Sequence, residues 1–407
     1  MNILLINHYA GSVKHGMEYR PYYMARKWTE LGHKVTIVAA SHSHLRTQAP
    51  RLDGPITREV VDGITYIWLK TPGYEGNGAK RVLNMFAFVS KLLQYGSRLS
   101  SQLKPHVVIA SSTYPLDVIP AKKIADKAGA KLMFEVHDLW PLTPIELGGI
   151  SPKHPFMMLL QWAENYAYRV SDKVVSMLPK ADSHMVAHGM LPDKFSYVPN
   201  GINTEEWDAA EKIPEDHNTM LKQLRADGNF IIGYVGSHGL ANALDYFIQA
   251  APLLRTLPVK LVMVGKGPDK AKLQELAEKL GADNVIFLPP VPKKSVPQLL
   301  SRMDALYIGF KRTALYRFGV SPNKLMDYMM AGKPIINALE AGNDPVKESG
   351  GGISIPPEDP AAIERAVRQL LDLSEYERRK LGQQAKKYVL QRHDYNVLAK
   401  KFADLMG

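Results

Sequence analysis

Residues 230–242 read Phe-Ile-Ile-Gly-Tyr-Val-Gly-Ser-His-Gly-Leu-Ala-Asn, a short apolar run that breaks into a glycine turn. Buried parallel strands read as short apolar runs, and glycine permits the sharp exit from them. The stretch therefore predicts a strand over Phe230–Val235, a turn, and a helix from Ala243. The pattern recurs downstream, with strands at Val259–Val264, Val285–Leu288, Ala305–Ile308 and Pro334–Ala338 and helices from Lys270, Val296, Asn323 and Pro360. Upstream, Asn2–Asn7, Lys34–Ala39, Thr65–Leu69, His106–Ala110, Lys131–Glu135 and Lys173–Met177 read as strands. Helical patterns at Arg20–Leu31, Ala79–Leu103 and Val118–Ala128 lie between them. Strand–helix alternation over the whole length predicts an α/β protein with two doubly wound parallel sheets in tandem and a cleft between the domains.

The boundary is expected at Val198-Pro-Asn-Gly-Ile202, a proline and turn dipeptide followed by a polar stretch up to Asn229. This divides the chain into residues 1–200 and 201–389, and the charged helical segment Glu375–Met406 ends it. The last helix, about 390–407, is expected to pack back on the first domain. A length of 407 residues suits two domains, and 45% hydrophobic with 22% charged residues excludes a disordered or collagen-like chain. The absence of cysteine rules out disulfides, thiolate metal sites and a cysteine nucleophile, and it fits a reducing compartment. The start, MNILLINHYAG, lacks the regions of a signal peptide, and there is no apolar run of membrane-spanning length. A cytoplasmic protein is the expectation.

Charge is uneven: residues 1–200 carry a net +8 and residues 201–407 a net +3, out of +11. An acidic partner follows, whether anionic lipid, a phosphorylated substrate or nucleic acid. No helix-turn-helix, finger or RNA-binding signature is present, which argues against nucleic acid. No Walker A, HExxH or GxSxG pattern occurs, and no complete GxGxxG follows the first strand. Five of the 13 histidines fall within the first 44 residues, at spacings that place no convergent set on one helix. They read as loop and surface residues, and no metal site is predicted.

Three segments carry chemistry. In Tyr316-Arg-Phe-Gly-Val-Ser-Pro-Asn-Lys-Leu-Met-Asp327, Ser321 or Pro322 starts a helix. A helix start offers free N–H groups and a partial positive charge, so Ser321, Pro322, Asn323 and Lys324 suit a diphosphate. A lysine in the first turn opposes the helix dipole, and a phosphate there resolves the conflict. Asp327, on the same face as Asn323, could accept ribose hydroxyls. The second segment is the turn with Gly236 and His238, where glycine permits close backbone approach to a ligand. The third is Phe134-Glu-Val-His137-Asp138, whose His-Asp pair follows a strand, where open α/β sheets bind ligands.

Together with Leu31-Gly-His-Lys-Val-Thr-Ile37, Pro199-Asn-Gly-Ile-Asn203, Leu261-Val-Met-Val-Gly-Lys-Gly-Pro268 and Asn284-Val-Ile-Phe-Leu-Pro-Pro-Val-Pro292, these segments resemble the family 4 retaining glycosyltransferases of the GT-B fold. His15-Gly-Met-Glu-Tyr-Arg-Pro21 and Ser41-His-Ser-His-Leu-Arg46 are similar to N-terminal motifs of members that build O-antigens and capsules from UDP-amino sugars. The resemblance implies that Asp327 holds the ribose, that Val291 and Pro292 read the base beside Gly265 and Gly267, and that His137 contacts the donor sugar. Gly16 would fall in the glycine loop facing donor and acceptor. Gly319 stands where the family has the first of two acids, and Ser237, His238 and Asn242 stand near where many members have Arg and Lys. Lys324, helped by Arg317 or Arg312, would replace that charge.

The implied reaction moves a sugar, an N-acetylated amino sugar, from UDP to a polyprenyl-diphosphate-linked saccharide at an anionic membrane surface, with His137 and Lys324 catalytic and no cofactor. The apolar helices Arg81–Leu93 and Pro155–Trp162 read equally as membrane-facing or core. A nucleotide-sugar epimerase of the same layout, a non-enzymatic scaffold and a nucleic-acid-binding protein are the alternatives.

Overall fold

The computed structural model describes residues 1–16, 19–76 and 78–407. Met17 and Glu18 of the N-terminal motif lie outside the described residues. The chain forms two compact units, Met1–Pro199 with Tyr395–Gly407, and Asn200–Asp394.

The first unit is built on an eight-stranded sheet of β1 (Asn2–Ile6), β2 (Lys34–Ala40), β3 (Ile56–Val61), β4 (Ile64–Leu69), β5 (Val107–Ala110), β6 (Lys131–Val136), β7 (Lys173–Ser176) and β8 (Phe195–Tyr197). Their spatial order is β3-β4-β2-β1-β5-β6-β7-β8. All pairs are parallel except β3–β4, a hairpin closed by Asp62 and Gly63 at φ +48° and +78°, the left-handed pair that a two-residue turn requires. The interior strands are buried almost throughout, which is why they read as apolar runs. β3 alternates exposed and buried residues, as an edge strand with one wet face does, and the sequence pattern had not revealed it. β8 is short and only half-buried, and it too had escaped notice.

The helix Tyr395–Met406 belongs to this unit. Its Leu398, Ala399, Phe402 and Met406 are buried with Trp28 of the helix Tyr19–Glu30. The Trp28 indole donates to the Ala399 carbonyl at 3.0 Å and its ring meets Phe402 at 5.1 Å. The helix Ala79–Leu103 divides its apolar residues: Met85, Phe88, Val89 and Leu92 are buried, whereas Leu83, Phe86 and Leu93 are exposed.

The second unit holds β9 (Phe230–Val235), β10 (Val259–Val264), β11 (Val285–Leu288), β12 (Ala305–Gly309), β13 (Ile335–Ala338) and β14 (Gly352–Ile355) in one sheet ordered β11-β10-β9-β12-β13-β14. Every pair is parallel. The chain winds outward one way from β9 to β11 and the other way from β12 to β14, so the order reverses between β9 and β12. Loops diverge at such a point beyond the strand C-termini and leave a ligand crevice. The polar stretch before Asn229 is not a linker: Glu215–Ala226 is a helix that buries His217, Leu221 and Leu224. β14 was also missed, being four half-buried residues at the sheet edge. The charged C-terminal segment is two helices, Glu375–Arg392 and Tyr395–Met406, parted at the buried His393.

Candidate functional site

Beyond the C-termini of β9 and β12 the second unit gathers a polar cluster around Lys324. The helix Asn323–Met330 starts after Pro322, which extends the backbone but contributes no capping side chain, so the first-turn N–H groups lack a side-chain cap. Lys324 Nζ donates to the Tyr234 hydroxyl at 2.9 Å and to Asn242 Oδ1, and it lies 4.9 Å from the Tyr234 ring centroid. Tyr234 and Asn242 in turn donate to the Ser237 carbonyl at 2.6 and 2.9 Å, tying the loop after β9 to the lysine. No carboxylate pairs with Lys324 among the described residues, and burial lowers its ammonium to about 8. His238 is fully buried with neither ring nitrogen hydrogen-bonded. Burial, then Lys270 and Lys324, holds it down at about 4, as the neutral imidazole.

Asp327 lies one turn into the same helix. Burial pushes its carboxyl up to about 6, against the pull of Lys293 and a hydrogen bond from Trp207, with Glu206 adding repulsion. Ser321 is engaged with the chain itself: its Oγ accepts from Asn200 N at 2.8 Å, and Asn200 Nδ2 donates to its carbonyl at 2.7 Å. His393 Nδ1 donates to the Asn200 carbonyl at 2.9 Å. The Pro199-Asn200-Gly201 turn thus sets where the helix begins. Val291 packs on the core of this unit and Pro292 is exposed.

In the first unit His137 follows β6. Its Nε2 lies 3.1 Å from Glu135 Oε2 and 2.9 Å from Ser111 Oγ, while Ser111 donates to that same carboxylate oxygen at 2.6 Å. With Glu135 accepting and the serine proton already committed, Nε2 carries a proton. Burial opposes ionisation of Glu135, but Arg20 and then His137 outweigh it, and the carboxyl stays well below its usual range. Arg20 meets Glu135 at 2.9 Å and also donates to the Val198 and Pro199 carbonyls. Asp138 caps the following turn, accepting from Leu139 N at 2.9 Å and Thr143 Oγ1 at 2.6 Å.

Each half of the chain matches a glycosyltransferase family: residues 15–201 the glycosyl transferase 4-like domain and residues 216–388 the glycosyl transferases group 1. Among related proteins is WcaI of Escherichia coli strain K12, described as a colanic acid biosynthesis glycosyl transferase. It is 22% identical over 355 residues, covering 85% of this chain and 86% of its own. Sucrose-phosphate synthase from Thermosynechococcus elongatus superposes with a TM-score of 0.74 at 15% identity, covering 100% of this chain and 98% of its own. Anabaena HepE in complex with UDP gives 0.68 at 16%, covering 99% of each. The chain is a glycosyltransferase of the GT-B fold.

The surroundings of several residues of the glycosyltransferase are visible only in the fold. A Cβ on Gly265 would lie 1.9 Å from the Gly236 carbonyl oxygen, and one on Gly267 would lie 2.3 Å from that of His238. These glycines let the loops after β9 and β10 pack backbone to backbone, joined by His238 N to Lys266 O at 2.9 Å. Gly16, at φ +81°, closes a turn against Thr47, whose Oγ1 would stand 2.5 Å from a Cβ. Gly319 has φ +103° and ψ 175°, a region essentially confined to glycine, so the backbone itself explains why no acid stands there. Arg312 is paired with Glu340 at 3.3 Å, and the Arg317 guanidinium lies 4.2 Å over the ring of its neighbour Phe318. His8 and His15 are buried, not surface residues. Tyr234 as the partner of Lys324, and Asn200 as the partner of Ser321, were not foreseen; nothing local to either residue signals a contact so distant along the chain.

Proposed function

We propose that this glycosyltransferase transfers an N-acetylated amino sugar from its UDP donor to a lipid-linked saccharide during surface polysaccharide assembly, with retention at the anomeric carbon. The observation that carries the donor half is Lys324, a half-buried ammonium whose hydrogen-bond partners among the described residues are neutral oxygens, beside an uncapped helix start. A cation placed so lacks an anion, and a diphosphate supplies one. The unpartnered imidazole of His238 gives the same region a polar group with an unmet hydrogen bond. UDP is supported by the HepE complex and polysaccharide assembly by WcaI.

In this reading the second unit takes the nucleotide sugar and the first takes the acceptor. Asp327 receives the ribose, Val291 and Pro292 line the base, and Ser321, Pro322 and Asn323 bring the helix N–H groups to the diphosphate, with Gly236, Gly265 and Gly267 shaping the adjoining loops. Lys324 and those N–H groups stabilise charge gathering on the departing β-phosphate, which in turn accepts the acceptor's proton. No protein nucleophile is required. His137 contacts the donor sugar, and Gly16 shapes the loop on the acceptor side.

Calorimetry with UDP, GDP and ADP tests the donor site. UDP is expected to bind the wild type, and both Lys324→Ala and Asp327→Ala to weaken it by about 10- to 100-fold, as loss of a charged hydrogen bond does. Equal binding of UDP by Lys324→Ala overturns the reading.

A further inference from the structure

Far along the chain from Lys324, the helix Pro155–Val170 and the short helix Asp182–Ala187 bring together Glu164, His184 and His188, with one donor atom from each lying within 4.8 Å of the others. Glu164 is 1% exposed. His184 Nε2 lies 3.1 Å from Glu164 Oε1, which also accepts from the Tyr168 hydroxyl at 2.8 Å. His188 Nδ1 lies 3.0 Å from Asn165 Oδ1. Gln161 Nε2 is 2.7 Å from Glu164 Oε2, 2.8 Å from Asn165 Oδ1 and 2.9 Å from His188 Nδ1.

These distances contain a conflict that protons cannot resolve. The Gln161, Asn165 and His188 atoms form a triangle in which each touches the other two. An amide nitrogen only donates, an amide oxygen only accepts, and a ring nitrogen does one or the other. Three mutually touching atoms cannot alternate two roles, so one side of the triangle stays mismatched for every tautomer and amide orientation. With Nδ1 unprotonated, Gln161 faces three acceptors with two protons. Acceptors converging on one point are what a cation needs.

We propose that Glu164, His184 and His188 bind one divalent transition-metal ion of the zinc class, with Asn165 Oδ1 as a fourth donor. Two imidazoles, a carboxylate and one further oxygen are a common zinc donor set. Tetrahedral bonds of about 2.0–2.1 Å put neighbouring donor atoms about 3.3 Å apart. The His184–Glu164 and His188–Asn165 separations of 3.1 and 3.0 Å are already close to that. Gln161 rotates away or offers its carbonyl, which removes the mismatch. His184 lies in the short helix and His188 is the residue that ends it, and their spacing of four residues is the one used where two histidines share a metal. The ion would clasp the six-residue helix, of which only Met185 is buried, to the longer one.

Chelator-treated full-length protein titrated with cobalt(II) and then zinc(II) tests this. One equivalent of cobalt is expected to develop the visible absorption of a four-coordinate site, zinc to displace it, and the melting temperature to rise with either. His188→Ala, at a half-exposed position, is expected to weaken binding by at least about 100-fold and to abolish the thermal shift while leaving UDP binding intact. No saturable one-to-one binding, or equal binding by the variant, overturns the proposal. If His188→Ala fails to fold, X-ray absorption at the zinc edge of the wild type decides: two imidazole ligands support the site and none overturns it.

Discussion

At Lys324 the chain keeps a positive charge where its surroundings disfavour one. Burial lowers the ammonium from its ordinary 10.5 to about 8, so near neutral pH its charge weakens the ligand-free fold. That loss builds up as the pH falls from 10.5 to about 8 and is complete below it, whereas above the ordinary value the lysine is neutral in both states. A bound diphosphate stabilises the ammonium and raises its pKa. UDP binding at pH 8 to 9 is therefore expected to take up a proton, and affinity to fall as the pH climbs past 8. Calorimetry in buffers of different ionisation enthalpy reads this directly, and Lys324→Arg should remove the uptake. Gly319 carries a second residue-scale expectation. With φ +103°, Gly319→Ala should cost about 1–3 kcal/mol in urea unfolding. Lys324 and Asp327 could be picked out from their helix alone, but their partners could not. Tyr234 and Asn242 stand 90 and 82 residues from Lys324, and only the pairing of β9 with β12 brings them to it.

Helices and strands differ in how openly their sequences declare them. Strands covered on both faces, such as β1 and β12, read as unbroken apolar runs because every side chain is buried. β3, β8 and β14 lie at sheet edges with part of each strand wet, and that mixture looks like loop. The helix Glu215–Ala226 was hidden in the same way, since three buried residues suffice to dock it. Two other helices bear on the proposed lipid-linked acceptor. Leu83 and Phe86 on Ala79–Leu103 and Met158 and Trp162 on Pro155–Val170 are exposed, and Phe86 and Phe156 approach to 6.2 Å between ring centroids, which joins the two faces. No helix of the described residues is long and apolar enough to cross a membrane. A joined apolar face suits peripheral contact with lipid, as a lipid-linked acceptor requires. Flotation with anionic vesicles is expected to carry the wild type upward and to leave a Leu83→Glu, Trp162→Glu double variant behind. Failure of the wild type to float removes the membrane reading of these two helices.

Across the whole molecule the chain's end completes its beginning. Tyr395–Gly407 belongs to the unit that starts at Met1, and Phe402 is wholly buried there. Phe402→Ala should destabilise the protein by about 3–5 kcal/mol, seen as a lowered unfolding midpoint, and removal of residues 395–407 should expose Trp28 and shift tryptophan emission to longer wavelength. Two α/β sheets, parallel but for β3, and a helix start after Pro322 were legible from apolar runs, glycine turns and a Ser-Pro-Asn-Lys sequence, because burial on both faces and helix polarity are written in neighbouring residues. Which glycines serve backbone packing, why Gly319 is no acid, and how Glu164 meets His184 and His188 were settled by the fold alone. Those contacts join segments distant along the chain, and their geometry exists only after strand order and helix docking have placed them.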